Sequence, residues 1–109
     1  MGASRIAAAI QRRGEDLILR RIFGNDQAHF DVRLKGVVRG YQPEQLVGAI
    51  VQGDREVRIS NQEILNKQWP GPPRRADRMR IAGHWVTVEN VNTFNVSNEV
   101  VEHVIQVRG

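Results

Sequence analysis

The chain has 109 residues, a formal net charge of +4 and a hydrophobic fraction of 40%, which suits one small domain with a single core. Its 16 basic residues are fourteen arginines and two lysines; arginine forks onto carboxylates and phosphates, so this bias suits interfaces. With no cysteine there is no disulfide framework or thiolate metal site, and no apolar run approaches the roughly 20 residues of a membrane-spanning helix.

Ser4 to Arg13 reads as a short helix. Ser4 can cap it, Ile6 and Ile10 stand one turn apart, and Gly14 can end it. Arg12 and Arg13 sit at its C-terminus, where the helix dipole favours cations. The apolar stretch Ile6 to Ile10 is too short for a signal peptide. So short a helix is marginal alone and is expected to dock on the domain or on a neighbouring subunit.

Asp16 to Phe23 reads as a strand with Leu17 and Leu19 on one face and Ile18, Arg20 and Ile22 on the other. Gly24-Asn25-Asp26 is a turn signal. His29 to Tyr41 is the longest strand candidate: Phe30, Val32 and Leu34 alternate with His29, Asp31, Arg33 and Lys35. Gly36, where the alternation blurs, marks a bulge or a bend. Pro43 to Gly53 carries Leu46, Val47, Ala49, Ile50 and Val51. It is either a loop offering apolar side chains to a partner or a short buried element, and the tendency of apolar runs to be core favours burial.

Gly53-Asp54 is a turn, and Arg55 to Ser60 is a strand with Val57 and Ile59 inward. Asn61 to Trp69 reads as a loose helical turn or loop. Pro70 to Val88 organises the second half. Pro72 and Pro73 forbid helix; Arg78 to Ile81 is a strand with Met79 and Ile81 on one face and Arg78 and Arg80 on the other; Ala82-Gly83 reverses the chain; and Trp85 to Val91 runs back. Gly83 supplies the positive φ a tight hairpin needs. Asn92 to Asn98 reads as a polar connection, and Val100 to Val107 closes the chain with Val101, His103, Ile105 and Val107 on one face. The expected class is all-β: a small barrel or sandwich of five to seven strands with a short N-terminal helix and long loops. Residues 1–14 form the helical arm and 15–109 the β domain.

Little of this pattern carries chemistry. His29, His84 and His103 show no metal-ligand spacing, Ser4, Ser60 and Ser97 lie in no nucleophile elbow, and the glycines are scattered as turn punctuation. Asp54 and Asp77 each precede a strand, which suits a turn carboxylate bonding local backbone. The reading is of a non-enzyme with no catalytic, cofactor or metal residues. Arg74, Arg75, Arg78 and Arg80, with Trp69 and Trp85, form the one conspicuous cluster. They fit a protein interface, where Arg and Trp are enriched, or a nucleic-acid face. Few aromatics and no ribonucleoprotein-type motif favour the protein interface.

Several short motifs in order resemble the small neck proteins of tailed bacteriophages, the head-closure (stopper) and head–tail joining proteins. They are Val37-Val38-Arg39-Gly40-Tyr41, Val51-Gln52-Gly53-Asp54 with Val57-Arg58-Ile59-Ser60, Pro73 with Ala76-Asp77-Arg78, Ala82-Gly83-His84-Trp85 with Val86 and Val88, and Ile105-Gln106-Val107-Arg108. The resemblance covers most of Asp16 to Gly109. Family members tend to carry Gly at the place of Ala76 and Asp-Gly at the place of Ala82-Gly83. The resemblance implies a β-barrel assembled as a ring, twelvefold or sixfold, between the portal adaptor and the tail terminator or tail tube. Such a ring sits in the virion neck after synthesis in the bacterial host cytoplasm, retains packaged double-stranded DNA, docks the tail and meets no membrane. It also implies that Leu46, Val47 and Ile50 are gate or subunit-contact residues. Two other readings stand beside it: a small β-barrel that binds single-stranded nucleic acid through Arg74, Arg75, Arg78 and Trp85, and a tail-terminator or tail-completion subunit.

Overall fold

Six strands close into an antiparallel barrel: β1 (Glu15–Phe23), β2 (Ala28–Gly40), β3 (Arg55–Ser60), β4 (Arg78–Ile81), β5 (His84–Val96) and β6 (Glu99–Arg108), paired around it in the order β1-β2-β3-β6-β5-β4. This computed structural model describes residues 2–24 and 28–109. The turn expected at Asn25-Asp26 lies outside the described residues. Two helices accompany the barrel, α1 (Gly2–Arg13) and α2 (Asn61–Asn66). The expected class, a small β-barrel with an N-terminal helix, is the one observed.

The core follows from period-2 alternation. Each strand contributes two residues to the apolar core cluster: Leu17 and Leu19, Val32 and Leu34, Val57 and Ile59, Met79 and Ile81, Val86 and Val88, Ile105 and Val107. Ile64 of α2 and Trp69 complete the cluster. β2 pairs with β1 as far as Gly36 and with β3 from Val37 onward, without a register slip between them. Gly36 is therefore a bend and not a bulge. A Cβ there would collide with Leu17 Cδ1 and press on Ile59 and Val57, so any larger residue at the bend would displace core side chains.

α1 packs against β2, β3, β6 and α2. The Glu63 carboxylate ties these elements together, accepting from Gln11 Nε2 at 2.8 Å and from the Lys35 backbone N–H at 2.8 Å. Ser60 Oγ caps α2 by accepting from Glu63 N. Gly14 N–H closes α1 by donating to Ile10 O.

Three sequence expectations are corrected. α1 begins at Gly2, so Ser4 lies within its first turn and not at the cap. β5 continues through Asn92 to Val96 and turns at Ser97-Asn98, both with positive φ, so the supposed polar connection is half of a long hairpin. Residues 92–99 are exposed throughout. Neither face of this ribbon is buried, so its sequence carries no apolar alternation to read. Finally, Pro43 to Gly53 is not a buried element. It is a short 3-10 turn, Pro43–Gln45, followed by a loop in which no residue is buried.

Candidate functional site

The loop from Gln42 to Asp54 is held at its root. Asp54, buried before β3, accepts from Arg108 Nε and Nη2 at 2.9 Å each, from Gln106 Nε2 at 2.8 Å, and from the Val51 backbone N–H at 3.1 Å. Gln106 and Arg108 also donate to Ala49 O. Arg108 above all, helped by the Val51 and Gln106 hydrogen bonds, holds the Asp54 carboxyl well below the usual carboxylate range against the opposing effect of burial. Above this root the apolar residues stand outward. Val47 is 67% exposed, Val51 is exposed, and Leu46 and Ile50 are half-buried.

A second clasp has the same plan. Asp77, buried before β4, accepts from Arg21 Nε and Nη2 at 2.8 Å each and from the Arg74 backbone N–H at 2.9 Å. Arg21 also donates to Pro70 O and Pro72 O, so one guanidinium from β1 fixes the proline loop. Both aspartates bond local backbone, as their positions predict. Their arginine partners lie 54 and 56 residues away, and sequence reasoning had no signal for that pairing.

The structure divides the arginine–tryptophan cluster. Trp69 is 5% exposed and belongs to the core, stacked near Phe30 with the Arg21 guanidinium 5.0 Å from its ring centre. It is unavailable to a surface partner, which corrects the expectation that grouped it with the others. Its apolar bulk wins over its polar edge: the indole N–H is buried without an acceptor among the described residues. Arg74 and Arg75 lie exposed on the loop, and Arg75 lines a groove with Ala49, Val51, Glu89 and Arg108.

Arg78, Arg80 and Trp85 stand together on the outside of the sheet, joined by residues the cluster did not include. Register places Arg33, Ile18, Arg80 and Trp85 in one row across β2, β1, β4 and β5, and Asp31, Arg20, Arg78 and Thr87 in the next. Arg20 forks onto Asp31 at 2.8 Å and lies 4.1 Å over the Trp85 ring, which is 37% exposed. The Arg20 hydrogen bond, more than any other contact, lowers the Asp31 carboxyl.

His103, expected on the inward face, is buried there. Its Nε2 lies 2.9 Å from Asn61 Oδ1 and its Nδ1 3.0 Å from Thr93 Oγ1. Burial pushes its pKa down, and both ring nitrogens are satisfied by the neutral tautomer that donates to Asn61 and accepts from Thr93. Among the described residues no group of three His, Asp or Glu side chains is placed to hold a metal ion. The outside of the barrel thus combines two loops locked by Asp–Arg pairs with an arginine-rich sheet face. No protein-family model matches the chain, and no curated protein matches it.

Proposed function

We propose that this chain is a ring-forming structural subunit of the neck of a tailed phage or phage-like particle, closing the head after DNA packaging and docking the tail. One observation carries the reading: an apolar loop, residues 43–53, pinned at its root by Asp54 and Arg108 yet exposing Val47 and Val51. A loop without a task outside its own fold gains nothing from apolar residues held in water. Around the barrel wall the strands are paired on both sides, so contacts there use side-chain surfaces and loops, and a free strand edge remains on the hairpin, along β5 beyond Val88. A ring needs two different patches on each copy, because its interfaces are heterologous. The loop supplies one, and the projecting β5–β6 hairpin, with Phe94 and Val96 exposed, supplies the other.

Negative-stain electron microscopy tests this at two levels. The concentrated protein is expected to form rings with an open centre, and particles made without it are expected to be heads that fill with DNA and then leak it, beside finished free tails. Tails of uncontrolled length would instead assign the chain to tail termination. A protein that stays monomeric at every concentration, with normal particles in its absence, would remove the reading.

A further inference from the structure

We infer that the outer face of β2-β1-β4-β5 is a contact surface for the phosphate backbone of double-stranded DNA, with Arg33, Arg78 and Arg80 as its phosphate-binding residues. The inference names a partner surface for the proposed neck subunit, but it rests on the charge of this face and holds whether or not the chain forms rings.

Arg33, Arg78 and Arg80 are exposed and make no ion pair or side-chain hydrogen bond among the described residues. The carboxylates on the same face are already engaged, Asp31 by Arg20 and Asp16 by Lys35. Among the described residues, three guanidinium groups are thus left without an ion-pair partner. Arg78 and Arg80 alternate along β4, which sets them about 7 Å apart on one side of the strand. Arg33 and Arg80 both stand opposite Ile18, one strand to either side, about 10 Å apart. Between them runs a groove of about 430 Å³ lined by Asp16, Leu17, Ile18, Arg33, Arg80, Ala82 and Gly83. The cations are therefore spread over two dimensions of a sheet, as a duplex surface requires, and not strung along one line.

The aromatic content of this face separates duplex from single strand. Single strands are held by successive bases stacking on successive aromatic rings. Among the described residues the two rows that hold these arginines contain one aromatic ring, Trp85, with Arg20 over one side of it, while the other exposed ring of β5, Phe94, stands out on the hairpin. What the face supplies is fixed positive charge, the source of sequence-independent duplex binding. The forked Arg20–Asp31 pair adds no free cation to it.

The test is fluorescence anisotropy of the full chain with a labelled duplex of arbitrary sequence, titrated at several salt concentrations. Three phosphate contacts predict a slope of log affinity against log salt near −2.7, or about a 40-fold loss between 50 and 200 mM. The triple variant R33Q/R78Q/R80Q is expected to abolish this binding while keeping the wild-type thermal unfolding curve, since all three side chains are exposed. The variant R12Q/R13Q, which removes two exposed arginines from α1, is expected to bind as wild type. Three outcomes would overturn the inference: no duplex binding by the wild type at low salt, equal losses in the two variants, or displacement of the duplex by polyglutamate at equal charge, which would make the face a site for an acidic protein. Light scattering on the same samples reports oligomeric state separately, so a DNA-binding monomer would keep this inference while removing the ring.

Discussion

At the scale of single residues, stability concentrates in a few buried polar groups. Arg21 and Asp77 are 4% and 3% exposed and satisfy each other bidentately, so removing either leaves a charge buried without its partner. Arg21→Met is expected to cost about 3–5 kcal/mol in urea denaturation, and pairing it with Asp77→Leu to recover much of that loss. Backbone conformation gives the opposite sign elsewhere. Ala82 and Gly83 both have positive φ, the requirement of a type I′ hairpin turn, and Ala82 meets it at a steric cost. Ala82→Asn is expected to raise stability by about 0.5–1 kcal/mol in the same measurement. The need for glycine at position 83 is legible because an apolar alternation on either side frames the reversal. The need for positive φ at Ala76 and Ala82 is not, since alanine gives no sign of it. His103 was legible as an inward residue by strand phase alone; its Asn61 and Thr93 partners come from other elements and leave no local trace.

At the scale of elements, one turn is used twice. Val51 to Asp54 and Arg74 to Asp77 are each closed by the aspartate N–H donating to the carbonyl three residues back. Each has positive φ at its third residue, Gly53 or Ala76, and each sends the aspartate side chain to a distant arginine. In the first turn the carboxylate anchors the apolar loop, and protonation should release it. Because the folded-state pKa of Asp54 is depressed, its contribution is fully present above the unfolded value near about 4 and is lost as pH falls below that. His103 acts in a higher window. Its folded-state pKa is also depressed, so the unfolded chain binds the proton more readily, and stability declines as pH falls below about 6.5. The urea midpoint is thus expected to hold level above neutrality, fall first below about pH 6.5 and again below about pH 4. His103→Gln should remove the first fall and leave the second. Asp54→Asn, at neutral pH, should make loop 43–53 the first site of limited proteolysis. The loop's exposure was misread from sequence because an apolar run signals core only where the chain can fold over it. Gln106 and Arg108 hold this one by its backbone carbonyl at Ala49, outside the barrel.

At the scale of the whole molecule, the barrel itself was the most legible feature, since six short runs of alternating residues leave few ways to bury them all. What sequence could not show is how the outside is divided. Parity along β1 and β4 places Ile18, Arg20, Arg78 and Arg80 outward and the hairpin brings Trp85 beside Arg80, but only the strand order adds Arg20 and Arg33 to that cluster. The resulting separation of surfaces makes the assembly reading testable by substitution. Val47 lies on a loop with no buried residue, so Val47→Asp changes no core contact. Its thermal unfolding curve is expected to match that of the wild type. If the loop is a subunit contact, an aspartate there must be desolvated at every interface of a closed ring, and the cost is repeated in each copy. Ring formation, read by light scattering across a concentration series, should therefore be lost or shifted to at least tenfold higher protein concentration. Ile50→Asp, at a half-buried site on the same loop, is expected to act in the same direction. Loss of soluble protein in that variant would mark Ile50 as part of the domain's own packing. Unaltered assembly by the Val47 variant would move the subunit contact away from the loop and leave the β5–β6 hairpin, through Phe94 and Val96, as the surface to test.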